Sequence, residues 1–319
     1  MTRRAFGTGL LLAAAVLCAT PVRAADWPTK PVRIVVSFAP GGAADIWARI
    51  IAEPLSAALK QSVVIENRGG GGGMVAAQQV ARAEPDGYTI LMGGLAPQIL
   101  APSVADNPGF DGLRDFSHIV YIGGPPLTWV VPSSSELRSV ADLIAAAKAN
   151  KFSGYASSGV GTVGHLAVEY VAGKNGLKLT HIPYNTAAFA DIIAGRVPMG
   201  SFTWGAALGQ LQGGTLRALA VTTETRRPEM PNVPTFKELG YDLVASTWFS
   251  FSGPKGMPKE IVQRLNQETL RILEMPDIRK RAQQDAFDPK PLKPEQVEAF
   301  FAAEIERWTP VAQAAMKKQ

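Results

Sequence analysis

The chain has 319 residues, enough for two lobes that each bury a core. Lys and Arg number 32 against 27 Asp and Glu, giving a formal charge of +5, with three histidines and one cysteine. Those counts exclude a disulfide scaffold and a histidine-rich metal centre.

The first element in the chain reads as an export signal. Thr2-Arg3-Arg4-Ala5-Phe6 leads into an apolar run from Gly9 to Cys18, and Val22-Arg23-Ala24 offers small residues for cleavage before Ala25. The paired arginines with Phe6 resemble a twin-arginine signal, although Sec signals can begin the same way. The run is too short to span a membrane, and no later stretch comes close. Leu17 stands where a lipobox needs a small residue, so no lipid anchor is expected on Cys18. Cleavage removes Arg3, Arg4, Arg23 and no acid, so the charge falls from +5 to about +2. A nucleic-acid partner then loses its basis. The sole cysteine also leaves, and with it any disulfide or thiol nucleophile. The mature chain is expected to be periplasmic and soluble.

Residues 32–38 form a β-branched run that reads as a buried strand. Pro40-Gly41-Gly42 breaks it, and from Ala43 the apolar residues Ile46, Ile50, Ile51 and Leu55 fall at helix spacing. Strand, glycine turn and helix start present free N–H groups and the positive end of a helix dipole to an anion. An ordinary βα turn fits the same stretch equally well. Asp45 reads as an acid of the first helical turn rather than a catalytic base.

A second strand, 62–66, precedes five glycines, 69–73, and a helix over 75–82. Met74 occupies the last glycine position of a dinucleotide fingerprint, so a flexible βα loop is favoured over a phosphate cradle. After the turn Pro85-Asp86-Gly87, residues 88–92 are a strand ending in Gly93-Gly94. Strands follow at 119–122 and 127–131. The alternation then begins afresh with a helix at 140–149, a strand at 152–156 and a small-residue loop, Ser157-Ser158-Gly159-Val160-Gly161-Thr162, opening a helix over 163–172. A strand at 180–183, a helix at 187–194 and strands at 197–202, 216–222 and 248–252 come next. Helices at 258–273, 276–284 and 294–315 end the chain, the last with Phe300, Phe301 and Trp308 on a core stripe. Alternation of this kind predicts parallel sheets covered on both faces.

None of His118, His165 and His181 sits at metal-ligand spacing. Tyr155-Ala156-Ser157-Ser158-Gly159 is the nearest approach to a nucleophile elbow, with Tyr155 where the first glycine belongs. An exported α/β hydrolase using Ser158 or Ser157 with His165 is the rival reading. Phe38, Phe202 and Trp204 end predicted strands, at the edge where open α/β sheets bind ligands; core packing is the alternative for each.

Two lobes with facing glycine turns suggest a clamshell around a small anion. Trp27-Pro28 with Pro31-Val32-Arg33; Phe38-Ala39-Pro40-Gly41-Gly42 with Asp45; Pro85-Asp86-Gly87-Tyr88; and Ser158-Gly159-Val160-Gly161 with His165-Leu166-Ala167 then make the chain recognisable. With His181-Ile182-Pro183-Tyr184, the run from Leu216 to Thr222, and Val233-Pro234-Thr235 with Glu238-Leu239-Gly240, they resemble the Bug-type solute receptors of tripartite tricarboxylate transporters. The resemblance covers nearly all of the mature chain. It implies an α/β fold of two lobes, 25–126 with 224–319 and 127–223, joined by two connecting strands. It also implies a ligand carboxylate held between the loop after the first strand and the small-residue loop of the second lobe, by N–H groups and water.

The residues expected there are Phe38, Ala39, Gly41, Gly42, Ala43, Ala44, Gly94, Ser157, Ser158, Gly159, Gly161, Thr162, His165, Tyr184, Thr203 and Trp204. Departures from the family pattern at Asn185-Thr186-Ala187-Ala188, at Gly93 to Gln98 and at Ser201-Phe202-Thr203-Trp204 fall where the distal end of the ligand is expected. The expected protein is a monomeric receptor without cofactor, metal or covalent chemistry. It would deliver an organic carboxylate, aliphatic or aromatic, to the membrane subunits of a tripartite transporter. A sensor would keep the same fold and site.

Overall fold

The computed structural model describes residues 27–184, 188–287 and 289–316. The expected export signal, its cleavage point and Cys18 lie outside them, as do Asn185, Thr186 and Ala187.

The strand–turn–helix stretch that begins the chain becomes β1 (Val32–Val36) and α1 (Ala43–Leu59). The helix buries Ala44, Trp47, Ala48, Ile51, Leu55 and Leu59, a three-and-four spacing that lays one face on the sheet. Each large apolar side chain so buried stabilises by about 1.5–3 kcal/mol. With β2 (Val63–Asn67), α2 (Met74–Ala81), β3 (Thr89–Gly94) and β4 (Phe116–Gly123), this half continues the alternation read from the sequence. The second half contains β5 (Leu127–Pro132), α4 (Val140–Lys148), β6 (Gly154–Ser157), α5 (Val163–Lys174) and β7 (Thr180–Pro183). It closes with α6 (Phe189–Ile193), β8 (Gly200–Thr203), α7 (Trp204–Gln212) and β9 (Leu216–Val221). The short α3 (Ala101–Ser103) follows a π-helical turn, Ala96–Leu100. After a long return segment come β10 (Phe249–Pro254), α8 (Lys259–Leu273), α9 (Pro276–Gln284) and α10 (Pro294–Met316).

Two five-stranded sheets result, β2-β1-β3-β10-β4 and β7-β6-β8-β5-β9. They are mixed rather than all parallel, which corrects the sequence expectation. β1 pairs in parallel with β2 and β3, but β10 runs antiparallel to β3 and β4. In the second sheet β6 is parallel to β7 and β8, while β5 is antiparallel to β8 and β9. The reason is the double crossing. β5 and β10 each arrive from the other sheet, entering at the edge where the parallel strands end, so each must run the opposite way.

The crossings lie side by side. Thr247 donates its N–H to the Pro125 carbonyl at 3.0 Å, and Pro126 bridges to Ser246. Gly124 packs so tightly against Thr247 and Trp248 that a Cβ there would collide with both backbones. Residues 224–245, placed with the first lobe by the sequence, pack on the second sheet instead. Phe236 donates its N–H to the Val221 carbonyl at 2.9 Å and sets its ring edge-on to Trp129 at 4.7 Å. The return crossing therefore falls near Ser246. Helix α10 spans both halves: Phe301 packs over His118 of β4 and shares a core with Leu166 and Val171 of α5.

Candidate functional site

Between the sheets lies a cavity of ≈ 290 Å³, and helix starts from both halves face it. At the first, Gly41 takes φ +80°, a left-handed conformation that favours glycine. Gly42 is the N-cap of α1, extended at φ −76° and ψ 165°, and no side chain caps the helix. The N–H groups of Ala43 and Ala44 have no intrahelical acceptor. Asp45 folds back instead, accepting from the Gly41 N–H at 2.9 Å, from Arg49 at 3.0 Å and from Asn67 at 3.0 Å. Burial pushes its carboxyl up, but the bonds from Arg49, Gly41 and Asn67 outweigh that and hold it below the usual range.

At the second start, Thr162 caps α5, its hydroxyl donating to the Gly159 carbonyl at 2.8 Å and accepting from the His165 N–H at 3.4 Å. The third is α7, which the sequence reading missed. Two glycines and a short length weaken its helical signal. Thr203 is its N-cap with no side-chain bond, and Gly205 and Ala206 line the cavity.

Of the expected residues, Phe38, Ala39, Gly41, Gly42, Ala43, Ala44, Ser158, Thr162 and Thr203 line this cavity together with Pro40. Gly159 and Gly161 stand behind, with φ +131° and +72°, shaping the second loop. Three others do not reach it. Gly94 is a packing residue where strands meet: a Cβ would strike the Trp248 carbonyl, and its N–H donates to Gln98 at 3.0 Å. Tyr184 turns its hydroxyl to Asp191 at 2.6 Å. Trp204 is buried against Val221, Met230 and Ala286, its indole N–H without a partner among the described residues.

Ser157 and His165 lie beneath the loop. The Ser157 hydroxyl is fully buried and meets Nε2 of His181 at 2.7 Å. His165 accepts the Gly161 N–H on Nδ1 at 3.1 Å and stacks on His181 at 4.1 Å. Burial, helped by His181, lowers its pKa to about 3. A histidine so weakly basic, buried and with Nδ1 committed to the Gly161 N–H, is a poor general base. The serine that touches a histidine is sealed from the cavity, and the hydrolase reading has no support.

The remaining wall is mostly apolar, from Ile46, Trp47, Leu127, Val163, Phe202 and Phe249. It carries two charged residues that the sequence reading did not single out, Arg281 and Asp285 at the end of α9. Nothing in the local sequence marks them, because α9 reads as a solvated helix until its neighbours are known. Among the described residues no cluster of His, Cys, Asp or Glu could hold a metal ion, and no helix is long and apolar enough to cross a membrane.

Two α/β lobes joined by paired crossings, with a cavity between them ringed by helix starts, define a two-lobed solute-binding receptor. Residues 47–316 match the family model described as tripartite tricarboxylate transporter family receptor, and the chain belongs to that family. It is 33% identical over 316 residues to Protein BugT of Bordetella pertussis, covering 98% of this chain and 97% of the relative. The solved structure of R. palustris Rpa4515 with adipate is 35% identical, with a TM-score of 0.85 over 91% of this chain and 98% of that one. The periplasmic binding protein BugD is 31% identical, with a TM-score of 0.83 over 91% and 98%.

Proposed function

We propose that this receptor captures an organic carboxylate in the interlobe cavity and delivers it to the membrane subunits of a tripartite transporter. The observation that carries the reading is the convergence of uncapped helix starts on a small, otherwise apolar chamber. Free N–H groups at Ala43, Ala44, Gly205 and Ala206 suit an anion, while the apolar walls suit a carbon skeleton. The adipate bound to the R. palustris relative supports the same ligand class. The carboxylate sits on the loop of Phe38, Ala39, Gly41 and Gly42, faced by Ser158 and Thr162 of the other lobe. Gly159, Gly161 and His165 keep that second loop in shape. The receptor works as an exported monomer with its signal cleaved near Ala25, its first lobe comprising residues 25–126 and 246–319. It performs no covalent chemistry.

Thermal unfolding with a panel of carboxylates, neutral sugars and amines tests the reading. A ligand at a hundred times its Kd stabilises the native state by about 2.7 kcal/mol, a melting shift of several degrees for a chain of this size. Shifts from carboxylates alone are expected. Shifts from sugars or amines with none from any carboxylate would overturn the assignment.

A further inference from the structure

Asp285 is an acid in the wall of a chamber otherwise arranged for an anion. It is the C-cap of α9, the end of a helix where a negative charge is disfavoured. The next residue, Ala286, holds φ +53°, a left-handed conformation uncommon outside glycine, and is buried. Strain of that kind persists where surrounding packing over-determines it, and it gathers at functional sites.

The Asp285 side chain is buried, with 10% of its surface exposed, and its carboxylate is fixed from one side only. Its Oδ2 accepts from the Trp47 indole N–H at 3.2 Å and from Arg281 Nε at 2.9 Å. Trp47 is itself held rigid, stacked on Phe287 at 4.0 Å and 16°. Oδ1 accepts no hydrogen bond from the described residues. It faces the start of α7 in the other lobe, 3.5 Å from where a Cβ on Gly205 would stand. Two donors on one oxygen leave the second as a positioned, vacant acceptor.

We propose that Asp285 is a specificity-determining residue whose Oδ1 accepts a hydrogen bond from the far end of the ligand. The preferred ligand then carries a carboxylate at one end and a donor, a hydroxyl or an ammonium, at the other. A second carboxylate would meet a buried acid. Arg281 offsets that charge only in part, because its Nε is already committed and its side chain is 45% exposed. This assignment rests on the carboxylate-receptor reading above.

The test compares ligands of matched length by calorimetry: succinate with γ-hydroxybutyrate and γ-aminobutyrate, and adipate with ε-hydroxycaproate and ε-aminocaproate. In the wild-type protein, a donor-ended member is expected to bind at least about tenfold more tightly than its dicarboxylate partner. Asp285→Asn, which keeps the shape, should reduce that ratio at least about fivefold in a protein shown to be folded by its cooperative melt. A wild-type preference for the dicarboxylates overturns the assignment even if the variant fails to fold. So does an unchanged ratio in folded Asp285→Asn. Binding by no carboxylate of either set would instead sink the receptor reading, and the Asp285 assignment with it.

Discussion

The backbone N–H of Gly41 donates to Oδ2 of Asp45 at 2.9 Å, so the first turn of α1 turns its own acid back onto the glycine loop. That contact keeps a negative charge from the ligand side of the helix start while fixing the loop that carries it. Arg49 and Asn67 complete the anchorage, and Asn67 also donates to the Phe38 carbonyl at 3.1 Å. Asp45→Ala should therefore cost roughly 2–3 kcal/mol of stability, since hydrogen bonds to a buried charge are lost and their donors stranded. Carboxylate affinity should fall as well. Denaturant titration and calorimetry check both, and an Asp45→Ala protein with native stability would show that the loop does not depend on this acid.

The two glycines of the turn separate in their effects. Gly41 has positive φ and open space around a Cβ, so Gly41→Ala should destabilise by about 1 kcal/mol through backbone strain alone. Gly42 differs from its neighbour. Its φ of −76° removes the strain, and an added Cβ meets only the Ala39 carbonyl, at 3.4 Å. Gly42→Val should therefore leave stability within about 1 kcal/mol and weaken carboxylate binding at least about tenfold. Unchanged affinity in that variant would move the anion off this loop.

What the sequence made legible was whatever local pattern decides. The β1 run, the turn at Gly41 and the amphipathic spacing of α1 and α8 are each visible within a window of about fifteen residues. The missing parts are those that neighbours decide. Helix α7 forms because Trp204 packs against Val221 and Met230 and its N–H bonds to Pro126, contacts with no trace in its own glycine-rich stretch. The antiparallel β5 and β10 follow from crossing between lobes, which periodicity cannot report. Asp285 enters the chamber only because α9 folds back from a distant part of the chain onto Trp47. Gly94 and Trp204, read as edge residues of strands, lie in packed surroundings outside the chamber lining.

Stability should fall on mild acidification. Burial lowers the pKa of His118 to about 4, of His165 to about 3 and of His181 to about 4, from an ordinary 6.5. The folded chain keeps these rings neutral while the unfolded chain protonates them. The stability they contribute is complete above about pH 6.5 and is lost as pH drops through the folded values. The total is on the order of a few kcal/mol, with the half-buried His181 giving least. The melting temperature should be flat above about pH 7 and decline steadily toward pH 4. His118→Asn, which loses the Leu113 and Ser252 contacts, should lower the plateau yet reduce the slope. An unchanged slope would remove His118 from this account.

Ser158 lines the chamber and can offer the ligand one hydroxyl. Ser158→Ala should cost about 0.5–1.5 kcal/mol of binding and nothing else. Ester or amide turnover by the wild-type protein that vanished in this variant would end the receptor reading.

The five-glycine run, expected as a flexible loop, closes the seam between the lobes. Gly70 to Gly73 all have positive φ, and a Cβ on Gly72 would stand 2.8 Å from Ala101 Cβ and 3.3 Å from the Val160 carbonyl of the opposite lobe. From that other side, a Cβ on Gly161 would stand 3.4 Å from Ala101 Cα. Gly72→Ala collides with Ala101 of its own lobe and crowds the Val160 carbonyl of the second loop, whereas Gly71→Ala meets only the Met74 side chain, at 3.3 Å. Both substitutions carry a similar strain of about 1–2 kcal/mol, because both positions are left-handed. Only Gly72→Ala should widen the receptor in small-angle scattering with saturating ligand, and only it should lower carboxylate affinity. Equal affinity losses in the two variants would trace the effect to backbone strain within the first lobe and leave the seam with no part in closure.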